Sequence, residues 1–379
     1  MSGQAVRAGV IGYGNMGTSH AKNIYEGKVP GMILGALCDI DGGKLERAKG
    51  DLPGVALFAE AKEMMESGTI DAVVIAVPHY DHPPLAEAAF ERGLHVMCEK
   101  PAGVYTKQVR LLNERAASCP LVFGMMFNQR TNGVYKKMRE FLQDGGMGNI
   151  KRVSWIITTW YRSQAYYDSG GWRATWEGEG GGVLLNQCPH NLDLLYWICG
   201  LPSRVMAHCH EGKWHDIEVE DDVTAYLEFP DGATGVFVTS TADAPGTDRF
   251  EVALDGGTVV CENGKTLRAW RNKVPEREHC FATREGFVPP ECEEIMIDIP
   301  PENPQHIGVL AAFADAILNG GPLVAEGREG INGLMISNAM HLSSWLGRAV
   351  ELPVDEELFL SELNKKITKA RKSKGKESS

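Results

Sequence analysis

Residues 9–17 read Gly9-Val-Ile-Gly12-Tyr-Gly14-Asn-Met-Gly17, a G-x-G-x-x-G array between the apolar run Ala5–Ile11 and a helix-like stretch. The array has a physical task only at a strand-to-helix turn. Gly12 permits the tight turn, Gly14 lets the backbone approach a pyrophosphate with no Cβ in the way, and Gly17 lets the helix pack closely on the strand. Tyr13, Asn15 and Met16 complete the loop, with the pyrophosphate charge resting on the helix N-terminus. Downstream, Met32-Ile-Leu-Gly-Ala-Leu-Cys-Asp39 is a second apolar run, ending in an acid 22 residues after Gly17. At that offset a carboxylate meets the adenosine ribose hydroxyls and repels a 2′-phosphate. The expected cofactor is therefore NAD in preference to NADP. The alternative for Asp39 is an ordinary turn acid after a strand.

Outward from this turn the pattern alternates. Val6–Ile11, Ile33–Cys38, Ala72–Val77, His95–Cys98 and Val122–Met126 read as buried strands. Between them, Met16–Glu26, Gly43–Lys49, Ala59–Glu66, Pro83–Arg92 and Lys107–Ser118 carry apolar residues at helical spacing. Alternating units of this kind predict a doubly wound parallel sheet, a Rossmann domain over residues 1–127. After Phe127 the period changes. Ile150–Trp160 reads as a long strand and Gly182–Ile198 as a helix. Arg204–His210, Val223–Phe229, Thr234–Thr241, Phe250–Leu254 and Thr258–Cys261 then alternate with period two, punctuated by turns at Pro230-Asp-Gly232 and Asp255-Gly-Gly257. Helices follow near Gln305–Leu318 and Glu329–Leu346. This predicts an α+β domain over 128–363, an open, mostly antiparallel sheet covered by helices on one face. Its free face predicts a homodimer or homotetramer. Residues 364–379, rich in lysine, read as a frayed basic tail.

Composition narrows the function. The chain has 379 residues, 43% of them hydrophobic, enough for a large core. Its formal charge is −12 with no basic block in the folded region, which excludes a nucleic-acid partner. No run approaches a membrane span. The nine cysteines include no C-x-x-C pair, and the first strand begins almost at Met1, leaving no room for a signal peptide. These features predict a cytoplasmic protein with free thiols. His208 and His210 share a strand face, but no matching ligands stand at zinc spacing, so no metal is expected.

Cys98-Glu99-Lys100-Pro101 follows a core strand of the nucleotide domain. Ligands of open α/β sheets bind beyond the carboxyl ends of the strands, so Lys100 should project toward the nicotinamide end of the cofactor. Pro101 disfavours helical geometry at Lys100. Val77-Pro78-His79-Tyr-Asp-His82 ends the neighbouring strand and places His79 and His82 near the cofactor; His82 serves equally as a cap for the next helix. Further on stands Gly180-Gly-Gly-Val-Leu-Leu-Asn186-Gln-Cys-Pro-His190-Asn-Leu-Asp193. With the first-strand glycines, these motifs resemble the glucose–fructose oxidoreductase / inositol dehydrogenase / rhizopine-catabolism family over about residues 5 to 350. The resemblance implies an NAD(P)-dependent oxidoreductase acting on sugars, cyclitols or their derivatives. It maps the family's reactive lysine to Lys100 and its catalytic histidine to His190. Asn186 stands where an Asp is common in the family, a departure also found in branches that oxidise sugar hydroxyls. His79 stands where Asn is frequent.

Asn186 and His190 are at i and i+4, which places both on one face of the expected helix. Oxidising a secondary alcohol needs a base for the hydroxyl proton, and a neutral imidazole suits that role. Asn186 would orient substrate and keep His190 neutral, while Lys100 would stabilise developing alkoxide charge. Asp193 reads as structural. The aromatic and arginine-rich stretch 159–176 supplies Arg162, Tyr166, Trp172 and Arg173 as substrate-pocket candidates, suited to polyhydroxylated or acidic substrates. Trp160 and Trp176 read equally as core or interface. Asn128 and Arg130 open the second domain and face cofactor or substrate, with Asn128 joining Glu99 and Lys100 in the expected cofactor set. The expected reaction is hydride transfer between NAD and a secondary hydroxyl of a sugar, glycoside or cyclitol. Two alternatives use the same residues: a redox-neutral sugar-transforming enzyme that keeps its NAD bound, and a nucleotide-binding sensor without chemistry.

Overall fold

A computed structural model describes residues 5–377. Six short strands form the first sheet: β1 (Val6–Ile11), β2 (Met32–Cys38), β3 (Ala56–Phe58), β4 (Ala72–Ile75), β5 (His95–Cys98) and β6 (Phe123–Met125). Their order is β3-β2-β1-β4-β5-β6, and every pairing is parallel. Helices connect them, beginning with Asn15–Tyr25 directly after the glycine turn. β4 is buried at all of its residues, as expected for a parallel strand covered on both faces. The strand order reverses between β1 and β4. Ligands of such sheets sit beyond the carboxyl ends at that point.

One part of this unit arrives from far along the chain. The helix Gln305–Asn319 lays Val309, Leu310, Phe313 and Ala314 into the same core as Val6, Val10 and Leu37. The first compact unit thus runs to Thr131 and takes in Asn303–Leu334; the second comprises Asn132–Glu302 and the chain from Met335 onward. This differs from the expected uninterrupted domain over 128–363. The helical spacing of 305–318 reveals an apolar face but not which sheet it covers.

The second unit is built on nine strands: β7 (Ile150–Ile157), β8 (Arg204–Glu211), β9 (Glu220–Glu228), β10 (Thr234–Ser240), β11 (Asp248–Leu254), β12 (Gly257–Glu262), β13 (Thr266–Asn272), β14 (Cys292–Ile295) and β15 (Val350–Glu351). They are ordered β14-β13-β12-β11-β7-β10-β9-β8-β15, and all pairs are antiparallel except β7 with β10. Trp155 on β7 is in register with Phe250 on β11 and Phe237 on β10. Its ring stacks on Phe250 with centroids 4.1 Å apart and meets Phe237 edge-on at 6.2 Å. A one-residue slip would turn this trio away from the core, so it pins the register.

Two local expectations change. The helix expected over Gly182–Ile198 begins only at Pro189 and ends at Cys199, with turns over 183–187 before it. Pro189 stands at the first helical position, where its missing N–H costs nothing. The basic tail is not frayed from residue 364: the helix Glu356–Glu377 runs through it. Lys366 pairs with Glu211 and Arg371 with Glu177. Among the described residues no helix is long and apolar enough to cross a membrane.

Phe313 is fully buried in the nucleotide-unit core. Replacing it with Ala should cost about 3–5 kcal/mol in urea unfolding. A loss below about 0.5 kcal/mol, the size of an ordinary surface substitution, would show that 303–334 does not share that core.

Candidate active site

The glycine turn has the geometry its sequence predicted. Gly12 adopts φ +95°, and a Cβ there would lie 2.3 Å from Ala76 O. At Gly17 a Cβ would lie 1.8 Å from Gly12 O, so only glycine lets the helix sit this close to the turn. Gly14 is different: as N-cap of the helix it faces open space, with nothing within 4 Å of a Cβ built on it. Asn15 and Met16 begin the helix. The space beside Gly14 and the helix N-terminus fit a pyrophosphate. Asp39 is buried just past β2, where its carboxylate accepts the Tyr13 N–H at 2.6 Å and the Asp41 N–H at 2.9 Å. Lys44 Nζ lies 3.3 Å away. The Tyr13 ring is buried in the core, and its hydroxyl donates to Asp51 at 2.9 Å. Its backbone is engaged too, the N–H by Asp39 and the carbonyl by Arg47 at 2.9 Å, so Tyr13 braces the turn.

Val77, Pro78, His79 and His82 follow the carboxyl end of β4, and Glu99 and Lys100 follow that of β5. Val77 and Pro78 are half-buried there, and His79 is buried with its ring 6.0 Å from that of His82. His82 is fully enclosed: Nδ1 lies 2.7 Å from Pro101 O and Nε2 2.9 Å from Val77 O. A neutral imidazole has one N–H, which donates to one of these two carbonyls, and the ring fills the space between the ends of the two strands. Burial lowers its pKa. Glu99 is buried, accepting the Lys100 N–H at 3.1 Å and meeting His20 Nε2 at 2.7 Å. Burial would push its carboxyl up, but the contact with His20 outweighs this and holds it at about 2. Asn128 donates to Gln305, while its Oδ1 is buried without a hydrogen-bond partner, an acceptor suited to a ligand. Arg130 pairs with Glu329 at 2.9 Å, which accounts for its burial.

In the second unit the substrate candidates meet around one hydroxyl. Arg173 and Gln187 donate to Tyr166 Oη at 3.0 and 3.3 Å, and that hydroxyl lies 3.5 Å from Asn186 Oδ1. The guanidinium of Arg162 lies 5.0 Å from the centre of the Tyr166 ring, and that of Arg173 at 4.8 Å. Arg173 also covers Trp172 at 4.6 Å. Arg162 is braced by its bond to Tyr161 O, while its backbone carbonyl faces His215 Nε2 at 2.9 Å. Asn186 lies in the turn before the helix and His190 on its first turn, so they do not share one helix face. Trp176 is core, packed edge-on against His341 and Trp345.

Several residues of this region were not singled out from the sequence. Glu179 is buried and bonds Asn186. Glu220 is buried and accepts the N–H groups of Gly182 and Leu184, holding the turn that carries Asn186. His20 and His306 flank Glu99. No local signal separates Glu179 from Glu177 two positions earlier, which is exposed.

Comparison with known proteins agrees with this architecture. The model of an oxidoreductase family with an NAD-binding Rossmann fold matches residues 6–126, and that of the GFO/IDH/MocA C-terminal domain matches 135–260. The Escherichia coli oxidoreductase YdgJ is 28% identical over 83% of this chain and 89% of its own length. A myo-inositol 2-dehydrogenase of Thermotoga maritima is 27% identical over 68% of this chain and 75% of its own. Among solved structures, the Chromobacterium violaceum dehydrogenase WlbA, in complex with NADH and UDP-GlcNAcA, is 25% identical with a TM-score of 0.80. That match covers 94% of this chain and 98% of WlbA.

The two glycines separate binding from folding. Gly17→Ala should destabilise the protein by about 1–3 kcal/mol through overpacking. Gly14→Ala should leave thermal unfolding unchanged yet weaken NAD binding at least tenfold by calorimetry, because its methyl group enters the open space beside the helix N-terminus. Equal NAD affinity in Gly14→Ala and wild type would remove the pyrophosphate from this turn.

Proposed function

This chain belongs to the GFO/IDH/MocA oxidoreductase family, and we propose on that basis that it is an NAD-dependent dehydrogenase of a sugar, glycoside or cyclitol. The observation that carries the substrate class is the convergence of Arg162, Tyr166, Arg173 and Asn186 in the segment leading to the His190 helix. Aromatic faces match the apolar side of a sugar ring, hydroxyl and amide groups match its hydroxyls, and guanidinium groups favour acidic members of the class. Named relatives and neighbours support it: a myo-inositol 2-dehydrogenase, and a WlbA dehydrogenase crystallised with UDP-GlcNAcA.

In this reading the glycine turn and helix N-terminus hold the pyrophosphate, and Asp39 receives the adenosine ribose. The Asp39 carboxylate disfavours a 2′-phosphate, which supports NAD over NADP. Bound NAD supplies the acceptor for the two electrons of the alcohol. His190 takes the hydroxyl proton as its C–O bond gains double-bond character. Lys100 donates a hydrogen bond to the reacting oxygen and stabilises its developing negative charge. Glu99, next to it in sequence, accepts the Lys100 N–H and fixes the backbone from which the lysine projects. Asn186 and the arginine–tyrosine cluster orient the substrate.

A panel of inositols, hexoses, uronates and glycosides, tested with NAD and NADP by reduced-nicotinamide absorbance, should show turnover with NAD preferred. Lys100→Ala and His190→Ala should each lower kcat/KM by about 10²–10⁴-fold. Unchanged turnover in either variant would overturn that residue's role.

Self-association through the open sheet belongs to the same reading. Tyr226 and Val236 are cross-strand neighbours on β9 and β10, and Ile156 on β7 shares their face; all three are exposed. Light scattering at micromolar concentration should give a dimer or tetramer mass, and Val236→Lys should shift it toward monomer.

A further inference from the structure

We propose that Glu179 is a positioning residue that fixes which end of the Asn186 amide faces the substrate, making Asn186 an acceptor for a substrate hydroxyl. The inference rests on the dehydrogenase reading above. Its geometry lies wholly within the second unit. Glu179 is buried, and its two carboxylate oxygens have separate tasks. Oε2 accepts the Ala174 N–H at 2.6 Å, and Oε1 accepts from Asn186 Nδ2. An ionised carboxylate only accepts, so the amide must turn its NH₂ toward Glu179. The Asn186 carbonyl oxygen then points the other way, 3.5 Å from the Tyr166 hydroxyl in the cluster with Arg173. An amide alone has no such preference; the buried carboxylate supplies it at the NH₂ end, and the Tyr166 O–H, which donates to the carbonyl oxygen, agrees with it.

The charges around Glu179 make the orientation sensitive to pH. Burial pushes its carboxyl up to about 7, and the nearby Glu220 carboxylate adds to this. The Ala174 N–H, the Asn186 amide and Arg173, whose guanidinium lies 4.0 Å away, pull it down. Tyr167 is raised mainly by its own burial and stays protonated in this range. Once protonated, Glu179 has an O–H to donate, and the reversed amide becomes equally acceptable.

The test is a transposition. In Glu179→Gln the side-chain oxygen stays with the Ala174 N–H, and the NH₂ group faces Asn186. The Asn186 amide must then reverse and offer a donor to the substrate. Asn186→Asp alone places two carboxylates in contact. The double variant Glu179→Gln/Asn186→Asp restores an acceptor at position 186, with the introduced glutamine amide now donating to it. Activity is measured from pH 5 to 9 with NAD and the best substrate of the panel. Glu179→Gln should lose about ten- to a hundredfold in kcat/KM and the ionisation near pH 7. The double variant should recover at least tenfold over the weaker single variant. Wild-type activity and pH profile in Glu179→Gln, or a double variant no better than the weaker single, would overturn the proposal.

A second arm needs no catalysis. A carboxyl with a raised folded pKa favours the folded state less as pH rises from its ordinary value of 4.5 toward 7. The melting temperature of the wild type relative to Glu179→Gln should therefore fall across that window and level off above it. A flat difference would overturn the raised ionisation and with it the pH sensitivity of the orientation. Wild-type protein inactive on every sugar, with this melting difference present, would overturn the dehydrogenase reading and the substrate-facing role while leaving the ionisation established.

Discussion

The carboxylate of Glu220 organises the turn that carries Asn186 and leads into the helix bearing His190. It is fully buried at the start of β9 and accepts the Gly182 N–H at 2.9 Å and the Leu184 N–H at 3.0 Å. Its own backbone carbonyl accepts the Val183 N–H. His341 Nε2 approaches to 3.0 Å, out of hydrogen-bond alignment, and Trp345 stacks on the His341 ring. Burial alone would push this carboxyl up, but His341 and the two N–H groups outweigh it and hold it below the ordinary range. A Cβ at residue 182 would lie 2.0 Å from Glu220 O, which is why the turn needs glycine there. With the turn anchored, Asn186 and the helix bearing His190 follow in a fixed direction.

The same logic recurs in the nucleotide unit with different groups. Glu99 is buried beside His20 and accepts the Lys100 N–H, so Lys100 follows an anion that stays ionised across the physiological range. Burying charge is costly unless it is paired and hydrogen-bonded, and each of these carboxylates has found such partners. Glu179 is the exception. Its bonds to Ala174 and Asn186 do not outweigh its burial, and it therefore remains titratable near neutrality. Buried acids with matched partners are held ionised, while burial that outweighs the partners of Glu179 pushes its carboxyl toward neutrality.

Much of the fold was legible because its signals are local. The G-x-G-x-x-G turn, the apolar runs and the turn dipeptides each act within a few residues of chain. The spacing of Gly12, Gly14 and Gly17 gives each a different task, and the space around each differs accordingly: tight at Gly12 and Gly17, open at Gly14. The arginine–aromatic stretch was legible as a cluster because its members are close in sequence. The membership of 303–334 in the nucleotide unit was not, since helical spacing reveals a face and not its partner. The late start of the His190 helix was hidden too: the Glu220 bonds that shape the preceding turn come from a strand more than thirty residues away.

By itself the sequence determined the nucleotide turn, the alternation of strands and helices, and the family to which Lys100 and His190 point. Tertiary structure decided what each acid and histidine is for. His82 became a packed ring between Val77 and Pro101, Glu177 a surface partner of Arg371, and Glu179 a buried partner of Asn186. The physical reason is desolvation. Backbone sterics and periodicity are properties of neighbouring residues, whereas the cost of an ionised group depends on atoms brought to it from distant segments.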